Sequence, residues 1–354
     1  MLREALKNIS PLKEEFFRLA QKRLDNLTKP PGSLGRLEEI AQRLVAITEK
    51  EMPSLGKKAI FTFSGDHGVA DEGVSAYPRE VTKQMVLNFL RGGAAINVLG
   101  RHAGADVAVV DIAVDADFEG MEGLIHKKVM RGTRNMAKGP AMTRDEALKC
   151  IETGITLARE WAGKGYRLFG TGDMGIANTT PSSAIAAVIT KSPVGIVTGR
   201  GTGINGIGLQ KKVKVIEEAI ALNRPDPRDP IDVLAKVGGC EIGAIAGLCL
   251  GAAAEKVPVV VDGFISTAGA LIAYGIDPRT GQYMFSAHRS QEPGHIIMLE
   301  HMNLKPILDL DMRLGEGTGS AIAMLVIEGA LKIYKEMATF GEAGVTGETV
   351  EAGP

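Results

Sequence analysis

The chain has 354 residues, with 41 Lys and Arg against 42 Asp and Glu, 45% hydrophobic and only 5% aromatic residues. That balance argues against a nucleic-acid binder, which carries a basic excess or stripe, and gives no support to a membrane-surface role. The length suits one large domain or two moderate ones, with enough chain to bury a useful core.

In chain order, Met1 to Phe17 is charged throughout and shows no apolar leader region. Residues 1–50 read as helical: a first helix around Leu12–Leu27, a break at Pro30-Pro31-Gly32, then a second helix with Leu37, Ile40, Ala41, Leu44 and Val45 on one face. Beyond it, short β-rich apolar runs are each followed by a glycine loop and a helical stretch. The runs are Ala59–Ser64, Val107–Ile112, Arg167–Phe169, Val194–Thr198, Val257–Val261 and Tyr283–Ala287. Such alternation predicts a mostly parallel sheet covered on both faces, with ligands at the carboxyl ends of the strands. The apolar stretches between Glu241 and Glu255 and between Asp262 and Asp277 fall short of the roughly 20 residues of a membrane span. A final helix is expected from about Thr318 to Met337, with Ile322, Leu325, Val326, Ala330, Ile333 and Met337 as its apolar stripe, and a frayed tail after Phe340. Cys150, Cys240 and Cys249 form no Cys-x-x-Cys pair and read as reduced thiols. A cytoplasmic protein is expected.

Four glycine loops could carry chemistry. Ser64-Gly65-Asp66-His67-Gly68 ends a strand; the Asp-His pair could handle protons or bind a metal, or form a polar turn with Asp66 capping an amide. Gly170 to Thr180 follows Arg167–Phe169 and precedes a helix starting near Pro181. Its closely spaced glycines and the helix dipole would make an anion cradle, with Asn178, Thr179 and Thr180 as donors. Gly199-Arg200-Gly201-Thr202-Gly203 also follows a predicted strand, and its cations suit a phosphate monoester. Lys211 nearby reads better as solvated. Gly315-Glu316-Gly317-Thr318-Gly319 opens the last helix; Glu316 is either a helix-start carboxylate or a general base. Asp262 is a strand-end acid able to hold a ribose hydroxyl or cap a turn. His288, His295 and His301 match no metal-helix spacing.

These loops lie within longer matching segments. They include Thr28-Lys29-Pro30-Pro31-Gly32-Ser33-Leu34-Gly35, Gly65-Asp66-His67-Gly68-Val69, Gly172-Asp173-Met174-Gly175 with Asn178-Thr179-Thr180-Pro181, and Asn223-Arg224-Pro225-Asp226-Pro227-Arg228-Asp229. Lys236-Val237-Gly238-Gly239, Asp262-Gly263-Phe264 and Met312-Arg313-Leu314-Gly315-Glu316-Gly317 complete the set. In this order they resemble the nicotinate-nucleotide–dimethylbenzimidazole phosphoribosyltransferase family of cobalamin lower-ligand synthesis. The resemblance implies a homodimer with a Rossmann-like three-layer parallel sheet, residues 55–315, and a smaller helical lobe from residues 1–54 plus 316–354. It implies nicotinate mononucleotide and a benzimidazole-type base as substrates, and no cofactor or metal. Glu316 would be the catalytic base. Gly172, Asp173, Gly175, Ile176, Asn178, Gly201, Thr202, Gly203, Lys212 and Asp262 would hold the nucleotide and its phosphate. Pro31, Asp66, His67, Tyr77, Met85, Leu314 and Gly315 would meet the base. Asp173 stands where Glu is usual, and Tyr77 and Met85 stand where small or polar residues are usual, which bears on the choice of base.

Two rival functions are an NAD-dependent oxidoreductase and a non-catalytic nucleotide sensor. The first lacks a Gly-x-Gly-x-x-Gly opening the first βαβ unit with an acid about 20 positions on. A transferase using phosphoribosyl pyrophosphate would need an acidic strand-end pair before a glycine loop, which is not evident in the sequence.

Overall fold

The computed structural model describes residues 1–346. Seven strands form one parallel sheet: β1 (Lys57–Gly65), β2 (Asp106–Ala113), β3 (Leu124–His126), β4 (Tyr166–Met174), β5 (Val259–Val261), β6 (Met284–His288) and β7 (Pro306–Leu308). Their order is β3-β2-β1-β4-β5-β6-β7. The chain therefore reverses its direction of winding between β1 and β4, the switch point at which such sheets open a crevice. From Lys58 on, every residue of β1 is buried, as expected of a central strand covered on both faces. Gly65 pairs with Ala113 through an irregular register, so the strand bends away as it reaches the carboxyl edge.

The covering helices approach one another closely. The helix Arg144–Gly163 starts in a capping box, in which Thr143 Oγ1 accepts from Glu146 N and Glu146 Oε2 accepts from Thr143 N. It packs on the helix Cys240–Ala254, buried along nearly its whole length, which accounts for the first of the two long apolar stretches. Two glycines permit that contact. A methyl group on Gly154 would lie 2.0 Å from Ala244 O, and one on Gly247 would lie 1.9 Å from Ile151 O. Gly154→Ala is therefore expected to destabilise the protein by about 1–3 kcal/mol or more through overpacking, read as a lower melting temperature. An unchanged melting temperature would mean that the helices part at no cost. No helix among the described residues is long and apolar enough to cross a membrane.

The chain divides into two compact units. The larger comprises Met1–Ser10 and Gly56–Ala323; the smaller comprises Pro11–Leu55 and the described residues from Met324 on. The boundary differs from the sequence expectation at both ends. The helix Leu2–Asn8 packs on the helices Arg144–Gly163 and Cys240–Ala254, and Glu316 lies in the larger unit. In the smaller unit, the helices Glu14–Asp25 and Arg36–Thr48 are separated by the Pro-Pro-Gly break. There Arg23 Nε donates to Tyr334 O at 2.7 Å, and the Tyr334 hydroxyl donates to Glu51 O at 3.0 Å.

Three further expectations are corrected. Val194–Thr198 is not a strand: Val194–Val197 is a short helix. Pro193 precedes it, Ile196 is exposed and Thr198 Oγ1 bonds back to Val194 O, none of which suits a central strand. The last helix runs Thr318–Glu336 and buries Met324, Ile327, Leu331 and Tyr334; of the expected stripe Ala330 is buried, while Ile322, Leu325 and Val326 are half-buried. Apolar residues fill every position from Ala321 to Ile327, so periodicity alone does not orient it. Part of the expected frayed tail forms the short helix Phe340–Ala343 behind a Thr339 capping box, and residues 347–354 lie outside the described residues.

Candidate active site

The carboxyl edge of β4, β5 and β6 opens on a cavity of about 490 Å³, a size suited to a small ligand. β4 itself supplies its floor. The strand runs through Gly170-Thr171-Gly172-Asp173 to Met174, where the sequence suggested that a loop had already begun. The glycines are there because another backbone crosses them: a methyl group on Gly172 would lie 2.3 Å from Glu316 O, and one on Gly175 would lie 2.3 Å from Gly65 O. Gly172 is thus beneath the cavity, not on its wall.

The segment that crosses β4 is a sharp turn. Gly315, Glu316 and Gly317 all have left-handed φ values, 88°, 63° and 100°. Glycine takes that conformation freely, but Glu316 does not, so its surroundings hold it there. Glu316 N donates to Asp173 O at 3.2 Å, and its carbonyl accepts from Thr62 Oγ1 at 2.9 Å. Gly317 N and Ser320 N donate to the two oxygens of Asp262, each at 3.0 Å. Asp262 N in turn donates to Thr171 Oγ1 at 3.0 Å. Asp262 therefore anchors the turn from behind and does not line the cavity. Burial pushes its carboxyl up to about 6, while His288 and the backbone amides oppose that shift.

Glu316 faces the cavity. Its Oε2 accepts from Ile96 N at 3.1 Å, in the first turn of the helix Ala95–Ala103, so it caps a different helix from its own. Burial raises its pKa above the ordinary carboxylate range and the Asp262 charge adds to that; the Ile96 amide opposes both. Asp173 lines the same cavity. Its Oδ2 accepts from Asn178 Nδ2 at 2.9 Å, and its Oδ1 is buried without a hydrogen-bond partner. Burial, then the Asp262 and Glu241 charges, lift its pKa well above normal. Asn178 is thus already engaged with a side chain.

Across the cavity, the helix Thr179–Thr190 presents its N-terminus, with Gly175, Ile176 and Asn178 leading into it. Gly201 and Thr202 form the neighbouring wall, and Thr202 Oγ1 accepts from Ala76 N at 3.0 Å. Gly203 lies in an adjacent groove instead. Lys212 is fully buried behind this wall, and its Nζ donates to Thr179 Oγ1 at 2.7 Å and to Gly199 O at 3.2 Å. Tyr77, Met85, Leu314 and Gly315 complete a more apolar side.

Three predicted base contacts do not line this cavity. Asp66 Oδ2 accepts from Asp115 N at 2.9 Å, and His67 Nε2 lies 2.9 Å from Glu241 Oε1, both buried in the strand-end corner. Pro31 belongs to the smaller unit, where it lines a groove with Lys29 and Phe340. Conversely, the sequence marks Thr179 only as a donor and does not place His288, Ser290, Glu292 or Arg313 in the site, although all line the cavity. A polar Ser290-Gln291-Glu292 stretch closed by Pro293, immediately after a strand, is the available signal.

A parallel sheet with this strand order defines a doubly wound α/β protein, and the cavity lies at the carboxyl edge, where such sheets open their crevice. A family signature described as phosphoribosyltransferase (DBI_PRT) matches residues 9–345, and the chain belongs to that family. A Geobacter sulfurreducens protein named nicotinate-nucleotide–dimethylbenzimidazole phosphoribosyltransferase is 62% identical over 345 residues, 98% of either chain. A Chloroflexus aggregans protein of the same name is 55% identical over 346 residues, again 98% of either chain. A crystal structure of the enzyme so named from Thermus thermophilus superposes with a TM-score of 0.90 at 45% identity, covering 95% of this chain and 100% of that one.

Proposed function

We propose that this protein transfers ribose 5-phosphate from nicotinate mononucleotide to 5,6-dimethylbenzimidazole or a related base. The products are α-ribazole 5′-phosphate and nicotinate, for assembly of the cobalamin nucleotide loop. The observation that carries the reading is a half-committed buried carboxyl, Glu316, sharing one cavity with a helix N-terminus and the Gly201-Thr202 turn.

The donor phosphate fits the N-terminus of the helix Thr179–Thr190, where the helix dipole favours an anion, with Gly175, Gly201 and Thr202 around it and Lys212 supplying charge from behind. The acceptor base fits the apolar side formed by Tyr77, Met85 and Leu314. The glycosidic carbon of the donor already carries a pyridinium leaving group, so nicotinate departs with its ring nitrogen neutral. The transition state resembles an oxocarbenium ion. The acceptor nitrogen attacks from the opposite face, which inverts the sugar from β to α, and its N–H proton passes to the Glu316 carboxylate. Holding the two reactants in line contributes several kcal/mol, up to about 7–11 in ideal geometry. Asp262 serves by anchoring the Glu316 turn. We place the enzyme in the cytoplasm, as a homodimer.

Incubation with nicotinate mononucleotide and a panel of bases tests the reading. Equimolar nicotinate and an α-linked ribonucleotide are expected with at least one benzimidazole. Absence of nicotinate release with every base would overturn it, and reduction of NAD by an alcohol would point to an oxidoreductase instead.

A further inference from the structure

Glu292 belongs to no part of the scheme above, yet it is a buried carboxylate that lines the cavity beside the Gly199–Gly201 turn. It sits between β6 and the helix Gly294–His301 and is 6% exposed. Its backbone is fixed. Glu292 N donates to Ser290 Oγ at 3.3 Å, Ser290 N donates to His295 Nδ1 at 2.9 Å, and Pro293 follows. From that corner the side chain reaches the Gly199–Gly201 turn. Oε1 accepts from Gly201 N at 2.9 Å, and Oε2 is buried with no hydrogen-bond partner.

The turn is shaped to admit it. A methyl group on Gly199 would lie 2.1 Å from Glu292 Oε2. Glycines carry no side chain with which to fix their own conformation, so their grip must come from outside. Three charged groups provide it here. Glu292 holds Gly201 N, Arg313 Nη1 donates to Gly201 O at 3.1 Å, and Lys212 Nζ donates to Gly199 O at 3.2 Å. Burying a carboxylate with one oxygen unsatisfied is costly, and a turn that merely closed the chain would not require it.

We propose that Glu292 is a positioning residue for the donor phosphate: its carboxylate sets the Gly199–Gly201 turn and thereby the place where the phosphate meets Lys212 and the cavity wall. The inference rests on the phosphate site proposed above. It assigns Glu292 no proton transfer and no contact with the reacting carbon.

The test is steady-state kinetics of Glu292→Ala and Glu292→Gln, with calorimetric titration of nicotinate mononucleotide into each protein. Glu292→Ala removes the acceptor for Gly201 N. It should raise the donor KM and Kd about tenfold, the scale of one charge-assisted hydrogen bond. Its kcat and its KM for the base should stay within about twofold of wild type on that same scale. Glu292→Gln keeps an oxygen acceptor of the same reach and should restore donor KM to within about threefold of wild type. It also keeps the test decisive if the alanine variant folds poorly. An unchanged donor Kd in Glu292→Ala, a loss in kcat at constant KM, or a failure of Glu292→Gln to rescue would each overturn the assignment. If wild type itself binds no nicotinate mononucleotide, the phosphate site fails; if wild type binds and Glu292→Ala binds equally, only the role of Glu292 fails.

Discussion

Glu316→Gln is expected to keep the fold and the donor affinity and to lose about 10²–10⁴-fold in kcat, the usual contribution of a positioned carboxylate base. Gln has the same reach, so its oxygen can still accept from Ile96 N, and the turn is held by backbone and Asp262 contacts that the change does not touch. The lost property is the capacity to take a proton. kcat and kcat/KM should therefore fall together, with the donor Kd constant by calorimetry. The pH profile gives a second readout. Burial raises the Glu316 pKa above the ordinary range, and the ionised form is the base, so wild-type kcat should decline as pH falls through that raised value. The Gln variant should show no such limb at its residual rate. Turnover equal to wild type would remove Glu316 from the base role.

The reason Glu316 can be selected from sequence is local. A carboxylate between two glycines needs a sharp turn, and such a turn after a strand-rich region reaches the ligand edge. What it touches is not legible there. Its partners Ile96 and Thr62 lie 220 and 254 positions away, and no periodicity links them. The same division holds for the sheet. β1, β2, β5 and β6 are apolar runs bounded by turn residues and can be read directly. β5 is as short as β3 and β7, three residues each, but is a run of valines; β3 ends in His126, and β7 begins with Pro306, which suits an edge strand but does not announce one. The Gly172–Asn178 segment is legible as a ligand loop, but half of it is strand, because glycine here serves a close backbone crossing. Asp66 and His67 are the converse case. The sequence leaves this strand-end pair open between a site and a polar turn with Asp66 capping an amide; Asp66 accepts from Asp115 N, as in the second, and His67 lies against Glu241.

Lys212 offers the second large effect, because its position combines charge with burial. Among the described residues its ammonium donates only to Thr179 Oγ1 and the Gly199 carbonyl, both neutral, so a phosphate arriving at Thr179 would be its first directly bonded anion. Burial lowers its pKa to about 8, and the Glu292 charge opposes that shift. The protonated form is the one that attracts phosphate. A phosphate monoester gains its second charge near pH 6. Donor kcat/KM, which reports the free species, should then fall above about 8 as Lys212 loses its proton. Lys212→Met preserves length and burial while deleting the charge. It should raise the donor KM by about 10–100-fold, as expected for a buried charge-assisted contact, and leave the KM for the base near wild type. It should also abolish the alkaline limb, since the group that titrates there is gone. A Lys212→Met enzyme with wild-type donor KM would detach the phosphate from this wall. An alkaline limb that survives the substitution would belong to a different group.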